Sequence, residues 1–461
     1  MDVLAAPPGG APAASVTVLP AAQLRGELRL PGDKSISHRA LMLALLAEGE
    51  SRIRDAGDGA DVRSTAGVVA ALGAAVERLP GNGGSVDYRV VSPGDEALRA
   101  PAVALDCGNS GTSLRLFAGI LAGLPLTAVL DGDASLRGRP VARIIEPLRA
   151  MGATLEARDH DSHPPVTVTG RRPLRPIDWT TPVPSAQVKS AILLAGLRAG
   201  GTTRVHERVA TRDHSERMLR ARGVAVRSLP DGAGGAVIEI DGGTTVQAME
   251  QRVPGDPSAA AFWLVAAAVH PDAELGIRNV GVNPTRRAVI DLLARMGADI
   301  EERSTTQGVG HDRDGPGDVG EPVADLVVRS SSLEAVDIGP AEVAAAIDEI
   351  PVLCLAATQA RGRTTIRGAG ELRHKESDRL AGIAAGLRAL GARIEIDGDD
   401  ITIDGPARLT GAPTDSLDDH RLAMTFAIAG LIAAGRTNVG RPASAAISYP
   451  GFFSDLERIR A

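Results

Sequence analysis

The chain repeats itself six times, and this restricts its fold more than any single motif does. A helix tail of the form L-x-x-x-G followed by a short strand appears as V-V-A-A-L-G-A-A-V-E (68–77), P-L-R-A-M-G-A-T-L-E (147–156) and M-L-R-A-R-G-V-A-V (218–226). It returns as L-L-A-R-M-G-A-D-I-E (292–301) and G-L-R-A-L-G-A-R-I-E (386–395), and a sixth helix, F-F-S-D-L-E-R-I-R (452–460), closes the chain. Apolar residues at helical spacing lead into each glycine, which is placed to end the helix in the left-handed region, and the alternation after it reads as a strand. A second, alanine-rich helix also recurs six times. Each copy follows a polar, turn-rich entry near Lys34, Asn109, Ser185, Pro257, Glu342 or Asp419, about 72 to 85 residues apart.

The longest spacing is accounted for by a Gly/Asp-rich insertion, T-T-Q-G-V-G-H-D-R-D-G-P-G-D-V-G (305–320), expected to be a surface loop. Periods of this length exceed those of solenoid repeats. Six βαβ-type units in 461 residues therefore predict an α/β protein of two domains with three units each. L-P-G-D-K-S (30–35) and V-P-G-D-P-S (253–258) are near copies at the starts of successive triplets, and the crossovers are placed there. One domain then holds 33–253 and the other 16–32 plus 254–461, behind a disordered tail of 1–15.

Composition narrows the ligand class. Aromatic residues make up 2% of the chain, leaving few platforms for stacking bases, and the formal net charge of −7 disfavours a nonspecific polyanion binder. An anionic ligand must be met by a local cluster of cations. The two cysteines, Cys107 and Cys354, have no metal-ligand spacing and read as buried thiols in a reducing cytoplasm. No uncharged apolar run reaches membrane-spanning length, and the start M-D-V-L-A-A-P-P-G-G lacks the pattern of a signal peptide.

Of 50 basic residues only Lys34, Lys189 and Lys375 are lysine, and each lies in a dense polar motif. Lysine is a compact charge whose pKa burial can move, unlike the arginine fork, so an ammonium is expected to matter at those places. In L-P-G-D-K-S-I-S-H-R, Asp33, Ser35 and Ser37 supply helix-capping chemistry, while Ser35 and Arg39 share one face of the first turn. With free backbone N–H groups this is an anion site at a helix start, and it lacks the Walker A pattern. L-D-C-G-N-S-G-T-S-L-R (105–115) is a second strand–loop–helix entry, followed by G-D-A-S-L-R-G-R-P (132–140) with Arg137 and Arg139 suited to phosphate or carboxylate capture or to surface ion pairs. P-S-A-Q-V-K-S (184–190) and T-R-D-H-S-E (211–216) add hydroxyls, an amide and Arg212. A-I-D-E-I-P (346–351) is read as placing Asp348 and Glu349 inside an apolar helix, where an unpaired carboxylate is costly. R-H-K-E-S-D-R-L (373–380) gathers Arg373, Lys375, Glu376 and Arg379, and L-D-D-H-R (417–421) leads Arg421 into a helix.

Taken in order, P-G-D-K-S-I-S-H-R, G-N-S-G-T, S-A-Q-V-K-S-A, T-R-D-H-S-E, H-K-E-S-D-R-L and D-D-H-R resemble the bacterial EPSP synthase family, from about residue 16 to the end. The resemblance implies two domains of three βαβαββ-type repeats, an inside-out α/β barrel in each, closing over a central cleft. It implies transfer of the enolpyruvyl group of phosphoenolpyruvate to the 5-hydroxyl of shikimate 3-phosphate, on the route to chorismate and the aromatic amino acids. Lys34, Ser35, Arg39, Ser185, Ala186, Gln187 and Arg212 match shikimate 3-phosphate positions, joined by Asp348 and Lys375. Lys34, Gly111, Arg139, Gln187, Arg379 and Arg421 match phosphoenolpyruvate positions. Asp348 matches the base for the 5-hydroxyl and Glu376 the acid for the methylene carbon, with Lys375 between the substrates. No metal or organic cofactor, nucleic acid or membrane is implied, and a monomer is expected.

Two positions depart from the family pattern: Ile447 stands where a lysine is frequent, and Glu371 where some members carry asparagine. The related enolpyruvyltransferases acting on UDP-N-acetylglucosamine place a cysteine in the loop where this chain has Ala134. A catalytically silent, anion-binding homologue would be expected to lose Asp348, Lys375 or Glu376, and all three are present.

Overall fold

The computed structural model describes residues 15–81, 84–232, 234–304 and 320–460. The expected tail lies outside them apart from Ser15, which opens the strand Ser15–Val18, and so does the expected loop at 305–320 apart from Gly320. By compactness the chain divides into two units. The first comprises residues 31–254 with 320–323; the second comprises residues 15–30, 255–304 and 324–460.

In the first unit three helices, Lys34–Leu46, Gly111–Ala122 and Ala186–Gly196, are buried along nearly their whole length. They are short of charge and rich in Ala, Leu and Ile, so no polar face remains to be solvated. Gly119 allows two of them to touch: a Cβ there would overlap the Ala191 carbonyl oxygen. Around these helices stand three sheets of four strands, all with one plan. In the middle one, Leu105–Asp106 pairs parallel with Thr127–Asp131, which runs antiparallel to His163–Thr169, itself antiparallel to Thr154–Ala157. This is the βαβαββ unit, with an amphipathic outer helix, Ala142–Ala150, between its second and third strands. The second unit repeats the plan around the buried helices Pro257–Val269, Ile350–Gln359 and His420–Gly430, with sheets of four, four and three strands among the described residues. No sheet closes into a β-barrel among the described residues: helices fill each interior and separate sheets surround them.

The first strand of two repeats is exchanged. Leu24–Arg29 precedes the Lys34 helix but pairs with Ala273–Gly281, whereas Glu250–Arg252 precedes the Pro257 helix but pairs with Glu48–Ala56. The repeated glycines behave as their spacing predicts. Gly73, Gly152, Gly223, Gly297 and Gly391 each follow a helix with φ between +82° and +114°, a region costly for other residues.

The fifth buried helix corrects the sequence reading. The segment around A-I-D-E-I-P is not one helix: Pro340–Ala345 ends, residues 346–349 form a turn, and Ile350–Gln359 begins anew. Pro351 is the cause, because a proline lacks the N–H and crowds the preceding turn, so it is accommodated only in a helix's first turn. Asp348 and Glu349 therefore stand at a helix start, where the dipole favours negative charge.

Candidate active site

Each unit carries a cluster of the residues singled out above. In the first unit Asp33 caps the Lys34–Leu46 helix by accepting from Ile36 N at 2.9 Å. Ser37 Oγ donates to the Asp33 carbonyl at 2.7 Å and accepts from Gly57 N at 3.0 Å, locking the P-G-D turn. Lys34 Nζ is 3.1 Å from Asp61 Oδ2. Arg39 is buried; its Nη1 turns back to the Ser35 carbonyl at 3.0 Å, Nε donates to Ser215 Oγ at 2.7 Å, and Nη2 donates to Ser190 Oγ at 2.8 Å. Burial pushes its pKa down to about 10, against the opposing fields of Glu216 and Asp33 and with that of Arg212. It stays charged at neutral pH, and Arg212, in the turn before the His214–Ala221 helix, is near enough for its charge to be felt.

The other entries of this unit meet the same cluster. Ser185 caps the Ala186–Gly196 helix, accepting from Val188 N at 3.4 Å, and Ser190 Oγ donates back to the Ala186 carbonyl at 2.6 Å. Gln187 is held from two sides: Arg115 Nη1 donates to its Oε1 at 2.7 Å and its Nε2 donates to Thr112 Oγ1 at 2.9 Å. Arg139 Nη2 donates to Asn109 Oδ1, and Asn109 Nδ2 donates to Asp133 Oδ2 at 2.8 Å. Gly111 is the first residue of its helix, and a Cβ there would lie 2.7 Å from Arg115 Nη1 and 3.5 Å from Arg139 Nη1. Arg137 takes no part; it pairs at the surface with Asp131 at 2.8 and 2.6 Å.

In the second unit one guanidinium organises the cluster. Arg379 is buried and donates from Nε to Asp419 Oδ2 at 2.7 Å, from Nη1 to Asp348 Oδ1 at 3.4 Å, and from Nη2 to Glu376 Oε2. Burial alone would lower its pKa, but the fields of Glu376, Asp419 and Asp348 raise it above the ordinary arginine value. Lys375 Nζ lies 3.8 Å from Asp348 Oδ1, so both carboxylates and the lysine of the acid–base reading are brought together. Asp419 caps the His420–Gly430 helix through Arg421 N at 2.8 Å and also accepts from Ser377 Oγ at 3.1 Å. Arg421 is buried with one long ion pair, Nη1 to Glu349 Oε1 at 3.8 Å, and its Nε has no hydrogen-bond partner among the described residues. Glu349 in turn accepts from Ser258 Oγ, which also accepts from Arg286 Nη2 at 2.8 Å. Arg373 turns away to the Gly398 carbonyl at 2.6 Å, and Ile447 sits in a 3-10 turn, Pro442–Ile447.

Sequence reasoning missed several partners. Arg115 was legible, since it lies four residues after Gly111 and therefore on the same helix face. Ser190 and Ser215 lay inside quoted motifs with nothing to mark their pairing to Arg39. Nothing in the sequence flagged Asp61. Lys189 proves to be a support: it is buried, with Nζ 2.8 Å from both Glu207 Oε2 and Glu216 Oε1 and 3.3 Å from the Thr211 carbonyl. Both cysteines are buried free thiols; burial raises the pKa of each, that of Cys354 to about 12, so neither is a reactive thiolate.

Cations at helix starts in one unit and a carboxylate pair on a buried arginine in the other define an α/β protein equipped to bind anionic small molecules and move protons. The chain belongs to the EPSP synthase (3-phosphoshikimate 1-carboxyvinyltransferase) family, whose model matches residues 18–456. The 3-phosphoshikimate 1-carboxyvinyltransferase of Gloeobacter violaceus is 51% identical over 445 residues, covering 96% of this chain and 98% of that protein. That of Roseiflexus castenholzii is 48% identical, covering 96% and 99%. The solved EPSP synthase of Acinetobacter baumannii superposes with a TM-score of 0.83 at 39% identity, covering 96% of this chain and 98% of that one.

Proposed function

We propose that this protein transfers the enolpyruvyl group of phosphoenolpyruvate to the 5-hydroxyl of shikimate 3-phosphate, with release of phosphate, in the biosynthesis of chorismate and the aromatic amino acids. Family membership and full-length relatives of that name support the reaction. The observation that carries the chemistry is the pairing of Asp348 and Glu376 on Arg379, with Lys375 beside Asp348. Addition across an enol double bond needs one group to take a proton from the attacking hydroxyl and another to give one to carbon, and two carboxylates can share that work.

In this reading Asp348 accepts the 5-hydroxyl proton as the oxygen bonds to C2 of phosphoenolpyruvate, and Glu376 protonates the methylene carbon to a methyl. The Glu376 carboxylate then takes back a methyl proton from the tetrahedral adduct as the carbon–oxygen bond to phosphate breaks, restoring the double bond, and the proton held by Asp348 leaves with the phosphate. Lys34, Ser35, Arg39, Ser185, Ala186, Gln187 and Arg212 would hold shikimate 3-phosphate, with Asp348 and Lys375. Lys34, Gly111, Arg139, Gln187, Arg379 and Arg421 would hold phosphoenolpyruvate, and the Nε of buried Arg421, without a partner among the described residues, suits an anionic ligand. We further infer a monomer that acts in the cytoplasm. The buried free thiols support a reducing compartment, and among the described residues no helix is long and apolar enough to cross a membrane.

The test is phosphate release with each substrate alone and with both together, for the wild type and Glu376→Gln. Release that needs both substrates and falls about 10²- to 10⁴-fold in the variant is expected. Release by the wild type from phosphoenolpyruvate alone, or a variant as fast as the wild type, would sink the assignment.

A further inference from the structure

Residues 320–323 follow residue 254 in the chain yet group with the first unit, where they brace the start of the His214–Ala221 helix. His214 Nδ1 lies 2.7 Å from Glu321 Oε1, and both side chains are buried. His214 Nε2 has no hydrogen-bond partner among the described residues, so Glu321 is what fixes the ring. Arg217 Nη1 donates to the Gly320 carbonyl at 3.2 Å, while its Nε donates to Asp213 Oδ2 at 2.8 Å. Two contacts from residues 320 and 321 thus hold the first turn of this helix.

The same turn supports the anion-binding cluster. Ser215 Oγ accepts from Arg39 Nε at 2.7 Å and is paired with Ser190 Oγ at 2.7 Å. Glu216 pairs with Lys189, whose Nζ also donates to the carbonyl of Thr211, the residue before Arg212. A helix start packed this closely on both sides transmits a displacement from one side to the other. Glu321 is also among the carboxylates whose field opposes the effect of burial on Arg39.

We propose that Glu321 is a positioning residue for shikimate 3-phosphate: through His214 it fixes the helix start that carries Ser215 and follows Arg212, and so sets both arginines. The proposal rests on the functional reading above. It is tested by titrating shikimate 3-phosphate calorimetrically into wild type, Glu321→Ala and Glu321→Gln, and by measuring KM for both substrates. Loss of one buried, charge-assisted hydrogen bond should raise Kd and KM for shikimate 3-phosphate about tenfold in Glu321→Ala. Glu321→Gln keeps an acceptor for the imidazole N–H and should show a smaller rise, about threefold. In both variants the rise should exceed any change in KM for phosphoenolpyruvate.

A lower unfolding midpoint with unchanged Kd, or equal losses for both substrates, would mark Glu321 as merely structural and overturn the proposal. Should Glu321→Ala not fold, Glu321→Gln decides: no selective rise there overturns it as well. A wild type that binds shikimate 3-phosphate but releases no phosphate refutes the reaction and leaves the Kd comparison standing. A wild type that does not bind shikimate 3-phosphate overturns both.

Discussion

Two buried cations, one in each unit, are surrounded by carboxylates, and they serve opposite ends. Around Lys189 everything is sealed: the side chains of Lys189, Glu207 and Glu216 are each 1% exposed. Burial raises the Glu216 pKa while Lys189 opposes it, and the lysine's own pKa is lowered by burial but raised on balance by Glu216 and Glu207. Around Arg379 the cation is equally buried, but Asp348 and Glu376 are 22% and 19% exposed and Lys375 is 23% exposed. Carboxylates that reach solvent can meet a substrate and exchange protons with it; sealed ones can only hold elements together. What separates chemistry from support here is whether the anions of a buried cluster are accessible.

Neutralising one member of each cluster should have opposite consequences. Asp348→Asn should lower the rate of phosphate release about 10²- to 10⁴-fold, with its urea midpoint close to wild type. Lys189→Met leaves two buried carboxylates without their cation and should cost about 3–5 kcal/mol in urea unfolding. If Asp348→Asn unfolded the protein while Lys189→Met only slowed it, the assignment of roles would be reversed.

A pH-dependent effect comes from His38, fully buried with Nδ1 2.6 Å from Thr65 Oγ1 and with burial pushing its pKa down to about 3. Its unfolded value is near 6.5, so between those two values the unfolded chain binds the extra proton. The stability it contributes is present above about 6.5 and is lost as pH falls toward about 3, by up to about 1.4 kcal/mol per pH unit. His38→Gln should flatten the urea midpoint against pH over that window by up to about one proton; an unchanged slope would show that the imidazole is not kept neutral. The smallest effect is expected at the surface pair Arg137–Asp131, where Arg137→Ala should leave both rate and midpoint at wild-type values. A large loss of activity there would restore Arg137 to the anion-binding set.

The repeats were legible because the signals involved are local. A helix of fixed apolar spacing must stop where a glycine takes a positive φ, and Gly73, Gly152, Gly223, Gly297 and Gly391 all do so. The cap at Asp33 was equally plain, whereas Ser35 and Ser37, read with it as capping residues, lie inside the helix. The break at 346–349 was also written in Pro351, yet alanine-rich continuity on both sides concealed it. Lysine scarcity pointed to three positions without separating them: Lys34 and Lys375 lie partly open, each near an aspartate, and Lys189 is sealed.

The six units and the starts of five of their inner helices follow from the chain locally, because φ preferences, capping and periodicity act over a few residues; the fifth start, at Ile350, did not. Which polar groups become partners was settled by folding in three dimensions. Arg39 meets Ser190 and Ser215 across 151 and 176 residues, and Arg379 meets Asp419 across 40. Such pairs arise where separate repeats bring their helix starts together, and burial then removes the water that would otherwise satisfy each group alone, so most of these polar groups pair with neighbours the chain order does not name.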